Sequence, residues 1–441
     1  GLIALGLGLL PGWPAAVMLA GAAMLLPWHQ GADWRRMAWS AAFAAVLAGV
    51  GFCVQLAIPD GAARAMSASA RRTLHVLRYE AAKSTLPEGN FEDLGSFSPT
   101  GEGALRVTMS QWTSLYLKGF TGSVYTGTGW KAAGEDLGET AAELTYRLQK
   151  DYFFSANQLA AANVSLGNTG QTVVVQRLGA CGAWAYTPYG GENPTLDPRR
   201  LTGEGTAEPK ESTWQGTLYP ASQAYLVQAE LAGGGDRAYL DGERAYRERV
   251  YAEDLRLSED TLVLLERYFD LSCKGQTTTR IRQSLASQIA SVLTYDEMTT
   301  AAGDGDFVTE LLTGSRRGYS VHYATLTTLL LRACGVPARY AEGYLVTAEQ
   351  AADMADGESL VLTEKNAHAW AEFYLDGVGW LPFDTTPAHV GELTYSLPQG
   401  GDLEGPSGAV TPPNPPDPSA DQPQVDQREN IGEDKTSFGG L

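Results

Sequence analysis

Two stretches without a single charged side chain dominate the start of the chain: Gly1–Trp28 and Met37–Ile58. The second is 22 residues long, enough to cross a hydrocarbon core of about 30 Å at roughly 1.5 Å per helical residue. It reads as a transmembrane helix. Pro11-Gly12-Trp13-Pro14 divides the first run, either kinking one helix or turning between two spans, and the sequence leaves both open. No basic segment precedes the apolar run and a second span follows it, so a cleaved signal peptide fits poorly and the chain reads as a piece of a larger membrane protein.

Flanking charge gives a split vote on orientation, with Arg35 and Arg36 between the runs and Arg64, Arg71, Arg72 and Arg78 after them. Long domains translocate regardless of flanking charge, so the expectation adopted is a multi-pass membrane protein whose main domain is extracytoplasmic. With 51 acidic against 32 basic residues, a net charge of −19, the chain repels phosphate and no nucleic-acid partner is expected. The four cysteines, Cys53, Cys181, Cys273 and Cys334, show no C-x-x-C spacing or disulfide-scaffold density, and the five histidines no H-E-x-x-H. No G-x-x-x-x-G-K-[ST] occurs, and neither metal nor organic cofactor is expected.

Residues 61–84 read as a helix, lying at the bilayer surface or simply solvated. From Gly101 the texture is of short strands: Leu105–Thr108, Ser114–Leu117, Ser123–Tyr125, Thr172–Val175 and Ala224–Val227, with one helix over 139–154. Tyr125-Thr-Gly-Thr-Gly-Trp130 reads as core or strand-edge packing ahead of a ligand groove. After Ser258 the spacing of Leu262, Leu265, Tyr268 and Phe269, then of Ile281, Leu285, Ile289 and Leu293, predicts amphipathic helices. Beyond Tyr395, eight prolines and eight acids in 46 residues make an extended linker. The expected division is 1–59 transmembrane helices, 60–257 a membrane-proximal helix and β-rich extracytoplasmic domain, 258–395 a catalytic-type core, and 396–441 a disordered linker.

Three stretches carry chemistry: Gly318-Tyr-Ser-Val-His-Tyr-Ala324, Asn366-Ala-His-Ala-Trp-Ala-Glu372 and Phe383-Asp-Thr-Thr-Pro387. Ser320 opens a run with Tyr323, Leu326, Leu330 and Ala333 at helical spacing, stopped by Gly335 and Pro337. That puts its hydroxyl at a helix N-terminus, where the macrodipole stabilises a developing anion. His368, Trp370, Glu372 and Tyr374 alternate with alanines and Phe373, predicting a strand with His368 on its more polar face. Asp384 reaches that face only if the following loop has an odd number of residues. A three-residue loop at 376–378 sets it opposite Trp370 and diagonal to His368. Two positions from Ser320, His322 faces elsewhere on the helix and is read as packing or surface; Cys334 is read as a buried small apolar residue.

These motifs, with Leu331-Arg-Ala-Cys-Gly-Val-Pro-Ala-Arg339, Glu342-Gly-Tyr344 and Gly379-Trp380, resemble the transglutaminase-like superfamily over roughly residues 258–395. The resemblance implies an α+β, papain-like core preceded here by the β-rich region and the membrane helices. It implies a Cys-His-Asp triad whose His and Asp fall on His368 and Asp384, while the nucleophilic Cys falls on Ser320. It also implies an extracytoplasmic domain and a tail leading to a further span.

A serine does not ionise as a thiol does, yet it attacks when a base takes its proton during the step. Three readings follow. The first is acyl transfer on peptide or amide bonds at the cell surface by cross-linking, deamidation or proteolysis, with Ser320 as nucleophile, His368 as base and Asp384 as orienter. The second is a catalytically silent module binding peptides or wall fragments. The third is a structural part of a membrane assembly.

Overall fold

A computed structural model describes residues 86–92, 94–132, 139–150, 153–192, 201–202, 206–207, 212–300 and 305–398. Both charge-free runs, the helix expected over 61–84 and the tail from 399 onward lie outside the described residues. Among the described residues no helix is long and apolar enough to cross a membrane.

In chain order the main elements are β1 (Gly103–Met109), β2 (Leu115–Tyr125), β3 (Trp130–Ala132), α1 (Glu139–Lys150), α2 (Gln158–Ser165), β4 (Gln171–Arg177), β5 (Thr187–Pro188), β6 (Gly191–Glu192) and β7 (Thr213–Leu218). There follow α3 (Ala224–Gly234), α4 (Arg237–Glu253), α5 (Glu259–Tyr268), α6 (Thr278–Val292), β8 (Thr294–Tyr295), α7 (Phe307–Thr313), β9 (Arg317–Gly318) and α8 (Ser320–Ala333). The chain then forms β10 (Ala338–Val346), α9 (Ala348–Ala352), β11 (Ser359–Thr363), β12 (Ala367–Leu375) and β13 (Gly379–Phe383).

Two large antiparallel sheets result, beside two small two-stranded ones. One runs β13-β12-β10-β2-β3, with β5 also on β2; the other runs β11-β1-β4-β7-β6. The β-rich region and the core expected on either side of residue 257 therefore share both sheets: β2 lies against β10, and β11 against β1. Gly343 marks the tightest approach, for a Cβ there would collide with the Leu117 carbonyl where the β2–β10 register shifts.

Helix α8 is buried along its whole length, and Leu326, Leu329, Leu330 and Leu331 are wholly inaccessible to solvent. Each such leucine contributes about 1.5–3 kcal/mol by leaving water. Its three buried threonines are hydrogen-bonded: Thr328 donates to the Ala324 carbonyl, Thr325 accepts from Trp130 Nε1, and Thr327 bonds Thr385. The helix ends where Gly335 takes a φ of +86° and donates to the Arg332 carbonyl, while Val336 donates to Leu331. Helices α5 and α6 flank it, burying Leu265, Phe269, Ile281, Leu285 and Ile289 at the predicted spacing.

Ala224–Val227, expected as a strand, is the first turn of α3. Four residues of mixed apolar character fit either period; the eleven-residue helix buries Ala224, Tyr225, Val227 and Leu231, a spacing of three and four that only the longer window reveals. Tyr125 and Trp130 close the β2–β3 hairpin, and Trp130 stacks on Tyr340 at 5.7 Å, so this aromatic pair is core.

Candidate active site

The N-terminus of α8 is built by a histidine. Tyr319 is extended, and its backbone N–H donates to His322 Nδ1 at 3.3 Å. The imidazole folds back over Gly318, where a Cβ would collide with the ring. Burial lowers the His322 pKa to about 4, and its ring packs 4.9 Å from that of Phe307, so it is a neutral capping and packing residue. Ser320 occupies the first helical position and is 7% exposed. Among the described residues its hydroxyl forms no side-chain hydrogen bond.

Strand β12 follows the predicted alternation with one difference: all nine positions are buried, including the face expected to be polar. Ala369, Ala371 and Phe373 join the cluster that holds α8, while Trp370 joins Tyr116, Tyr189, Ala341 and Leu345 on the other side. The β12–β13 ladder pairs Leu375 with Gly379 and Ala371 with Phe383, leaving 376–378 as the loop. Asp384 follows directly on the last paired residue of β13.

His368 and Asp384 meet: Nε2 lies 2.6 Å from Asp384 Oδ2, and both side chains are 5% exposed. The carboxylate also accepts the Thr386 N–H on Oδ1 at 2.9 Å and the Tyr116 hydroxyl on Oδ2 at 3.0 Å. Burial alone would push the Asp384 pKa up, but the His368 charge and the hydrogen bonds from His368 and Thr386 outweigh it and hold the carboxyl below its ordinary value. An ionised acceptor at Nε2 assigns the proton there and leaves the Nδ1 lone pair as the ring's base. Trp370 stacks on the imidazole at 6.2 Å and 20°, and His389 stands edge-on to it at 4.5 Å. Burial, then the neighbouring His368, lowers the His389 pKa.

Ser320 arrives at the same end of the sheet by topology. A short turn from Cys334 to Pro337 folds β10 back along α8, where Thr328 donates to the Arg339 carbonyl and Arg332 to that of Ala338. The helix N-terminus therefore points toward the end of β10, beside which β12 begins. The Thr327–Thr385 hydroxyl pair, 2.6 Å apart, fixes the residue after Asp384 against the helix. That contact lies seven residues, about 10 Å of helix, from Ser320. The structure thus joins His368 to Asp384 directly and brings Ser320 to their end of the fold without a hydrogen bond to either.

Two site residues escaped the sequence reading. Tyr116 is 268 positions from its partner Asp384, and no local pattern connects them. Burial, then Asp384, raises the Tyr116 pKa, which keeps it a donor. His389 lies five residues past Asp384 in the turn closing that motif, where its N–H donates to Thr386; its distance from the motif's end was the available signal. A shallow pocket lined by Tyr116, Tyr189, Pro220, Ala221, Pro382 and Leu393 opens beside the pair.

The family model of the transglutaminase-like superfamily matches residues 270–385. The chain is 31% identical over 99 residues to the uncharacterized protein YebA of Bacillus subtilis (strain 168), covering 22% of this chain and 13% of that protein. It is 36% identical over 86 residues to a protein-glutamine gamma-glutamyltransferase of Pseudomonas aeruginosa, covering 19% of this chain and 12% of that one. The matches thus span about an eighth of the length of these relatives. Among solved structures, the periplasmic domain of TgpA from Pseudomonas aeruginosa aligns with a TM-score of 0.43 at 17% identity, over 65% of this chain and 90% of that one. Residues 270–385, which run from before the helix opened by Ser320 to just beyond Asp384, are thus the part of this chain that matches the transglutaminase-like superfamily.

Proposed function

We propose that this chain is a membrane-anchored, extracytoplasmic acyl-transfer enzyme acting on peptide or amide bonds, with Ser320 as nucleophile, His368 as base and Asp384 as orienter. The observation that carries the reading is the 2.6 Å His368–Asp384 pair, in which the carboxylate is held by three donors and engages only one of the two ring nitrogens. The gamma-glutamyltransferase relative favours a glutamine carboxamide as acyl donor.

In that reaction Ser320 Oγ attacks the carbonyl carbon as His368 Nδ1 takes its proton, and Asp384 stabilises the imidazolium. The N-terminus of α8 faces the anionic oxygen that develops. Collapse breaks the C–N bond, and the leaving nitrogen takes the proton from His368. The resulting ester is then resolved by an amine, which gives cross-linking, or by water, which gives deamidation or hydrolysis.

The test uses the parent and Ser320→Cys. The parent should label at Ser320 with a fluorophosphonate and release ammonia from a glutamine peptide, both lost in His368→Ala. A second reading, a silent peptide-binding module, draws on the missing hydrogen bond between Ser320 and His368. It predicts no labelling and no ammonia, but saturable peptide binding by the parent. Ser320→Cys that alkylates with iodoacetamide near pH 6 no faster than a free thiol would show that the imidazole does not serve position 320, and would remove the catalytic reading.

A further inference from the structure

Cys273 and Cys334 are separated by 61 positions, yet their Sγ atoms lie 2.8 Å apart with both side chains buried. Each backbone is fixed independently. Cys334 is the C-cap of α8, its N–H donating to the Leu330 carbonyl. Cys273 sits in the turn between α5 and α6, where Lys274 donates to Leu271, Gln276 to Cys273 itself, and Ser272 to Asp270. Neither thiol meets a metal-type cluster among the described residues. Two sulfurs held against each other by separate, well-braced turns are a pair arranged for a bond between them.

We propose that Cys273 and Cys334 form a disulfide that ties the end of the Ser320 helix to the α5–α6 turn. A thiolate of one cysteine attacks an external disulfide and expels one thiol; the second thiolate then displaces the other half. The two cysteines lose two protons and two electrons, and the external disulfide takes them up as two thiols. Closure belongs to the folding chain, before burial shuts the site. Burial also raises the Cys334 pKa, so a reduced pair inside the finished fold is inert toward exchange. The bond closes a long loop that contains α6, α7 and the whole of α8, where a cross-link restrains the unfolded chain most. The proposal stands whether Ser320 reacts or not.

The full chain, purified in detergent without reductant, is unfolded in guanidinium with excess iodoacetamide and read by intact mass and peptide mapping. Of its four cysteines, Cys53 and Cys181 should alkylate, the peptides of Cys273 and Cys334 should be found linked, and dithiothreitol should raise the count to all four. Alkylation of Cys273 and Cys334 without reduction, or linkage of either to Cys53 or Cys181, overturns the proposal. Dithiothreitol should lower the parent's melting temperature by about 5 °C and leave that of Cys273→Ala unmoved. An equal fall in both would count against the bond.

Discussion

Two buried carboxylates, Glu372 on β12 and Asp384 just past the end of β13, are partnered in opposite ways. Glu372, wholly buried, accepts Arg339 on Oε1 at 2.6 Å, and Lys118 at 2.9 Å and Tyr189 at 2.7 Å on Oε2. Burial pushes its pKa up, but Arg339 and Lys118 outweigh that and hold it below the ordinary value. Tyr189 in turn accepts Trp370 Nε1, so this network braces the indole on which His368 stacks. Asp384 at the other end has as many donors, but one of them is a titratable ring with a second nitrogen to spare. What separates the two carboxylates here is not burial or charge but whether a partner keeps a lone pair of its own to offer.

Four variants press on that contrast, from the largest effect to the smallest. Asp384→Asn should cut ammonia release by about 10³–10⁴-fold, because the amide no longer holds the Nδ1-basic tautomer, with little change in the urea midpoint. A midpoint that collapses instead would make the two carboxylates alike. Glu372→Ala should do the reverse, costing about 3–5 kcal/mol in urea unfolding by removing the shared acceptor of two buried cations. A cost under about 1 kcal/mol would mean that these cations do not depend on it.

Tyr116→Phe should lower kcat about 10- to 100-fold with KM unchanged, the size of one lost hydrogen bond to a charged group. Without that donor the Asp384 carboxyl titrates higher, so the acid limb of kcat should move upward in pH; a unifom loss at all pH values would leave Tyr116 a packing residue. Glu342 makes the finest test. It accepts the N–H of Gly89 at 2.9 Å and the Tyr340 hydroxyl at 2.8 Å, and burial raises its pKa from 4.5 to about 7. Since the folded value is the higher, its contribution is fully present below pH 4.5 and is lost as pH rises through 7. The parent's unfolding free energy in urea should fall across that window by up to about 3 kcal/mol, and Glu342→Gln should flatten the slope.

The sequence reading succeeded where one local rule sufficed. The parity of a hairpin fixes which residues share a face, so the 376–378 loop and the pairing it sets up needed only a count of residues. Helical spacing did the same for α5, α6 and α8. It failed where the answer lies across the sheet. The alternation of β12 could not reveal that Glu372 is buried, because its partners Lys118 and Tyr189 come from distant segments. Nor could it place Tyr116 beside Asp384, since β2 and the end of β13 are related only through two intervening strands.

The insertion of β2 between β10 and β3 bears on how the molecule comes into being. Leu117 pairs with Tyr344, so the sheet that carries His368 cannot close until nearly the whole described chain has been made. Until then β2 waits without its partner, and β10 deprived of β2 has a bare hydrogen-bonding edge, an invitation to pair with another copy. A fragment cut at the limits of the matched segment, 270–385, would carry that edge permanently. It should precipitate where a fragment beginning near residue 86 stays in solution, and the boundary of the folding unit is set by that strand, not by the motifs.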